Sequence, residues 1–157
     1  MANYEYLIAS LPDITPDWKG ADAATADALV QEIREMSSTG DNRLIDMLMD
    51  GYQDEKLNLE FYQNALSLKD HFLREYFRFD LNVRNAKVAY LNKALGRPAG
   101  TDIFMSAPGE FEEAQKLDSV LATDDILARE RGIDDLMWAK IDELTTFDYF
   151  DIDAVLG

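Results

Sequence analysis

From Phe72 to Ala94 the chain reads FLREYFRFDLNVRNAKVAYLNKA, with no Gly or Pro. Two apolar rows run through it at helical spacing. One holds Phe72, Tyr76, Phe79, Val83, Ala86, Tyr90 and Ala94; the other holds Leu73, Phe77, Leu81, Val88, Leu91 and Leu95. A helix with so wide an apolar surface needs cover from at least two sides, so the remaining elements must be built around it. Gly96 and Pro98 end it cleanly. The expectation is a mainly α, multi-helix domain, orthogonal or bundle-like, around a long central helix at about residues 70–96.

No long alternating pattern occurs elsewhere, which agrees with that class. Tyr4–Leu11 reads as a short extended segment or a first turn laid on the core, and Pro12, Pro16 and Gly20 make residues 12–24 a loop. Thr25 is placed to cap a helix carrying Leu29, Val30, Ile33 and Met36, and a second follows over Asp41–Asp50 with Gly51 at its end. Residues 54–69 are again helical in pattern, with a bend or break near Ser67–Asp70. Residues 97–109 form the clearest loop. Beyond it, Glu110–Ala122 is expected as a helix with acids in its first turn, as the helix dipole favours. Asp124–Arg131 follows, stopped by Gly132, and then Asp135–Thr145. The ending, with Phe147, Tyr149, Phe150, Ile152, Val155 and Leu156, is unusually apolar for a terminus. Residues 1–157 are therefore read as one helical domain forming the N-terminal portion of a longer natural chain.

Charge narrows the function. The net charge is −16, yet residues 71–100 carry six Lys/Arg against Glu75 and Asp80 alone. Phosphate contact needs a surplus of Lys/Arg on some face, and the one basic segment is the one expected to be buried, so nucleic acid is not the expected partner. At 47% hydrophobic and 11% aromatic the chain is too apolar for intrinsic disorder. It has no cysteine, which removes disulfides, thiolate zinc sites and cysteine nucleophiles together. No window approaches the 18 or so apolar residues of a membrane span, so no direct membrane insertion is expected.

Catalytic and cofactor motifs are missing. His71 is the only histidine and Leu68 stands three residues before it, so Glu-x-x-His is absent. The aspartates at 148, 151 and 153 do not match an EF-hand loop, and neither dinucleotide nor phosphate glycine loops occur. No catalytic, cofactor-binding or metal-ligating residue is assigned, and no cofactor is expected. The residues that stand out are polar ones on the central helix. Arg78, Asn82, Asn85 and Asn92 share one face, read as a solvent stripe. Arg84 lies on an apolar row, either in an exposed i,i+4 ion pair with Asp80 or buried against an acid or helix-end carbonyls, where it would fix how neighbouring helices cross.

Three segments carry a family resemblance: Asn3-Tyr4-x-Tyr6-Leu7-Ile8-Ala9-Ser10-Leu11-Pro12-Asp13, then Phe79-Asp80-Leu81-Asn82-Val83-Arg84-Asn85, and Leu95-Gly96-Arg97. Together they resemble the DUF2764 family, uncharacterised bacterial proteins associated with genes for V/A-type ATP synthases. The Phe79–Asn85 and Gly96-Arg97 pattern is also similar to a helix of the central-stalk C (or d) subunit of those machines. The resemblance implies a non-catalytic, adaptor-like subunit or accessory of such an ATPase. Its partners would be other subunits, and its place the cytoplasm, held at the inner membrane through the complex. Arg78, Asn82, Arg84, Asn85 and Arg97 are then structural or interaction candidates. The alternatives are a helical interaction domain with an unrelated partner and, last, a carboxylate-based metal-dependent enzyme.

Overall fold

A computed structural model describes residues 3–14 and 23–157. Eight α-helices follow one another: α1 (Glu5–Ser10), α2 (Ala23–Met36), α3 (Thr39–Asp50), α4 (Leu59–Leu66), α5 (His71–Leu95), α6 (Ala114–Leu121), α7 (Ile126–Thr145) and α8 (Ile152–Leu156). A single 3-10 turn, Asp54–Lys56, lies between α3 and α4. No strand occurs among the described residues, so the chain is mainly α. Most of the loop expected around Pro16 and Gly20 lies outside the described residues.

The central helix forms as its pattern demands. Asp70 caps it, its carboxylate accepting the Leu73 N–H at 2.8 Å, which also accounts for the break after α4. At the far end Gly96 turns left-handed (φ 65°). The Arg97 N–H then donates back to the Asn92 carbonyl at 2.8 Å, closing the helix as glycine stops do. Around α5 pack α4, α6, α7 and α8.

Its first three turns carry the core. Phe72, Leu73, Tyr76, Phe77 and Leu81 pack with Phe61, Tyr62 and Ala65 of α4. On another side Phe79 and Val83 pack with Leu117 and Leu121 of α6 and Ile133 of α7. Ring contacts knit the first cluster: Phe77 meets Phe61 edge-on at 5.1 Å and Tyr76 at 5.2 Å. Each such pair adds about 0.5–1.5 kcal/mol beyond area burial. Beyond Val83 no apolar side chain of the helix is fully buried. Tyr90, Leu91 and Leu95 are exposed, so the two-sided cover expected for the whole helix is confined to its first half.

Several local expectations are corrected. The N-terminal segment is helical rather than extended; α1 buries Leu7, and Tyr4 donates its N–H to the Phe150 carbonyl at 2.8 Å. Helix α2 starts at Ala23, which puts Thr25 inside its first turn and not at a cap. Helix α3 is capped by Ser38, whose hydroxyl accepts the Asp41 N–H, so Gly40 is helical. Helix α6 begins only at Ala114, with Glu110–Glu113 outside it. Residues 126–145 form one continuous helix capped by Asp125, so Gly132 marks no boundary. Gly132 is there for a different reason: a Cβ at that position would come 2.8 Å from Val120, so its absence lets α6 and α7 close together. The terminal segment divides. Leu156 packs on the first cluster, while Phe147, Tyr149 and Phe150 are exposed.

Gly51 ends α3 in an ordinary right-handed conformation (φ −63°). Its missing side chain makes room for Phe77, since a Cβ would stand 2.5 Å from that ring. Gly51→Ala is therefore expected to cost about 1–3 kcal/mol through overpacking, read as a lower urea midpoint at an unchanged slope.

Candidate functional site

Residues 96–113 contain no helix or strand among them, so their carbonyls need donors from elsewhere. The segment runs back along α5, and polar side chains of that helix supply the donors. The Asn92 side-chain amide donates to the carbonyls of Ala99 (3.3 Å) and Thr101 (2.8 Å). The Asn85 amide donates to Met105 at 2.9 Å. The Arg78 guanidinium donates to Pro108 (3.4 Å) and Glu110 (3.1 Å). Positions 78, 85 and 92 are seven apart, two helical turns, so they fall on one line. This ladder clamps the return segment antiparallel to α5. Gly109, with φ 82°, fits its lowest rung: a Cβ there would lie 3.0 Å from the guanidinium.

The candidates fare differently. Arg78 is held in line by Glu75, at 2.8 Å. Asn85 is a rung of the ladder. Asn82, one turn from both, makes no hydrogen bond among the described residues and borders a small void of about 50 Å³ with Phe79 and Lys140. Arg84 makes no ion pair among the described residues. Its guanidinium lies over the Phe104 ring, 4.7 Å from the centroid, pinning the return segment by a cation–π contact. Asp80, its expected partner, instead accepts the Tyr62 hydroxyl at 2.8 Å. Burial pushes the Asp80 carboxyl up, while that hydrogen bond and the nearby Arg84 and Lys87 charges pull it back. Arg97 reaches Asp102 at 3.3 Å, and Asp102 itself sits in the left-handed region (φ 63°).

Two residues escaped the sequence reading. Asn92, placed on a solvent stripe, is wholly buried, because the loop folds over it. Its seven-residue spacing from Asn85 and Arg78 was the available signal. Lys140 had none: it joins Glu113 at 2.5 Å and Glu143 at 2.9 Å, and stands over the Phe79 ring. Burial works against its charge, but the two carboxylates outweigh it and raise its pKa. A third polar group closes the far end of the molecule. Asp153 has its carboxyl pushed up to about 8 by burial and by Asp70, with Asp151 and Asp148 adding to the shift. Tyr4 ties the same region together, its hydroxyl donating to Asp41 and accepting the Ser38 N–H.

Among the described residues no three His, Cys, Asp or Glu are grouped to hold a metal, and no helix is long and apolar enough to cross a membrane. What the arrangement does is present surfaces. Leu91 (48% exposed) and Leu95 (61%) are exposed at the far end of α5, as are Ile126 (69%) and Leu127 (81%) in the first turn of α7. The Arg129 guanidinium over the Tyr90 ring and the Lys87–Glu130 pair at 3.8 Å hold the two helices together there.

Two outcomes test the geometry. Asn92→Ala should cost about 2 kcal/mol by stranding two carbonyls, with faster amide exchange over 97–105, whereas Asn82→Ala should stay within about 0.5 kcal/mol. The raised Asp153 carboxyl makes the native state bind more protons than the unfolded chain. Stability should therefore fall as pH rises from near 4, the ordinary carboxyl range, through about 8, and Asp153→Asn should flatten that fall in chemical denaturation at stepped pH.

No curated protein and no solved structure matches this chain. A family model does, over residues 50–157, which takes in the end of α3, all of α5 and the ladder but leaves the Asn3–Asp13 motif outside. The chain belongs to the family described as "Protein of unknown function (DUF2764)".

Proposed function

We propose that this chain is a non-catalytic, adaptor-like subunit or accessory of a bacterial V/A-type ATP synthase or ATPase, acting through protein contacts in the cytoplasm at the inner-membrane complex. The observation that carries the reading is the free end of α5 and α7, where Leu91, Leu95, Ile126 and Leu127 face solvent. Large apolar side chains grouped on an otherwise acidic surface mark a contact surface for another protein. The resemblance of Phe79–Asn85 and Leu95-Gly96-Arg97 to a central-stalk helix supplies the complex. Those residues sit in the helix that presents the surface: Asn85 and Arg97 organise the return segment, and Leu95 is on the surface itself.

A tagged full-length protein should co-purify with the catalytic A and B subunits from its own cells. Leu91→Glu with Leu95→Glu, at exposed positions, should abolish that co-purification while leaving the helical circular dichroism unchanged. An intact, active ATPase isolated without this protein would overturn the proposal.

A further inference from the structure

Between the end of α3, the first half of α5 and the middle of α7 lies an open cavity of about 480 Å³, within the range of small-ligand sites. Its aromatic walls are Tyr52, Tyr76, Phe77 and Trp138, and its two charges are Asp80 and Asp134. No Lys, Arg or His lines it among the described residues. The wall is thus π-rich and carries two carboxyl groups with no cationic side chain in its lining.

Three details sharpen the chemistry. Asp80 uses Oδ2 to accept from Tyr62, and no donor reaches its Oδ1 among the described residues. Arg84, one turn along, acts on Asp80 by its nearby charge but forms no ion pair with it, its guanidinium lying over Phe104. Tyr52 stands 68% exposed at the mouth, tethered only by its hydroxyl, 3.3 Å from that of Tyr76. An aromatic ring left at the rim of an anionic cavity offers a face to a cation. Two carboxylates among rings give too few oxygens for Ca²⁺ and little room for the water shell that Mg²⁺ keeps. A compact organic cation, weakly hydrated and apolar over most of its surface, fits both features at once.

We propose that this cavity binds an alkylated ammonium group, held by cation–π contact with Tyr52 and Trp138 and by the carboxylates of Asp80 and Asp134. The same chemistry is offered by a free quaternary amine and by a trimethylated lysine side chain of another protein. The inference does not rest on the adaptor reading, and its test does not involve the ATPase.

The test titrates the full-length chain by calorimetry, and by the indole N–H resonance of Trp138, with three probes: choline, the methylamide of N-acetyl-trimethyllysine, and the neutral isostere of choline in which a tert-butyl group replaces trimethylammonium. At least one cation should bind with a Kd of about 1 mM and shift the indole signal, with the isostere about tenfold weaker or worse. Preference for choline assigns the site to a free amine, and preference for the lysine derivative assigns it to a protein side chain. Tyr52→Leu and Asp134→Asn, both at exposed positions, should each weaken the bound cation by about three- to tenfold, and high salt should weaken it further. Asp80→Asn, which keeps an acceptor for Tyr62, should do the same. No binding of either cation up to about 50 mM, equal binding of the neutral isostere, or full affinity in the Tyr52→Leu and Asp134→Asn variants would overturn the proposal.

Discussion

The structure depends on the burial of α5 from Phe72 to Val83 between two apolar clusters. Seven aromatic or aliphatic side chains of this stretch, Phe72, Leu73, Tyr76, Phe77, Phe79, Leu81 and Val83, are removed from water. At about 1.5–3 kcal/mol for each fully buried large side chain, no other element contributes as much. Fixing the first half of a single straight helix also fixes where its second half points. Everything laid on that second half, from the return segment to the start of α7, takes its position from packing two or three turns away.

The polar side of the same helix solves a separate problem. An irregular segment of some length lies on the protein with carbonyls that no helix or sheet satisfies. Rungs at Arg78, Asn85 and Asn92 recur at about 10.5 Å along the axis, seven residues at the helical rise, and each meets a carbonyl farther back along the segment. The cation–π contact of Arg84 with Phe104 adds a hold from another side of the helix. The order has a cost, since Asn92 Oδ1 and Arg97 Nε are both buried without a hydrogen-bond partner among the described residues.

The positive charge of α5, anomalous in a chain of net charge −16, is largely spent inside the domain. Arg74 donates to the Leu68 carbonyl, Arg78 to the return segment, Arg84 lies on a ring, and Lys87 and Arg97 face acids on neighbouring segments. Exposed pairs of this kind contribute little stability each, about 0–1 kcal/mol. Their effect is on orientation: a cation-rich helix sits where the acidic segments on both sides of it in the chain meet.

The sequence by itself determined the central helix, its C-terminal end and the mainly α class, because periodicity and a Gly stop are local signals that need no partner. It also singled out Arg78, Asn82, Arg84, Asn85 and Arg97 as unusual, of which Asn82 makes no hydrogen bond among the described residues. Only the tertiary structure decided what those residues touch. A polar face on a helix looks the same in sequence whether water or a folded-back loop covers it, so Asn92 read as solvated and is buried. Glycine has the same ambiguity: Gly132 read as a helix stop and lies inside α7, while Gly51 does end α3, yet both are places where another element comes too close for a Cβ. The free end of α5 is the converse case. Its apolar rows read as core to the last turn, but a row states only that cover is needed. How far the neighbouring helices reach along it is set by where α4, α6 and α7 begin and end, which no single segment encodes.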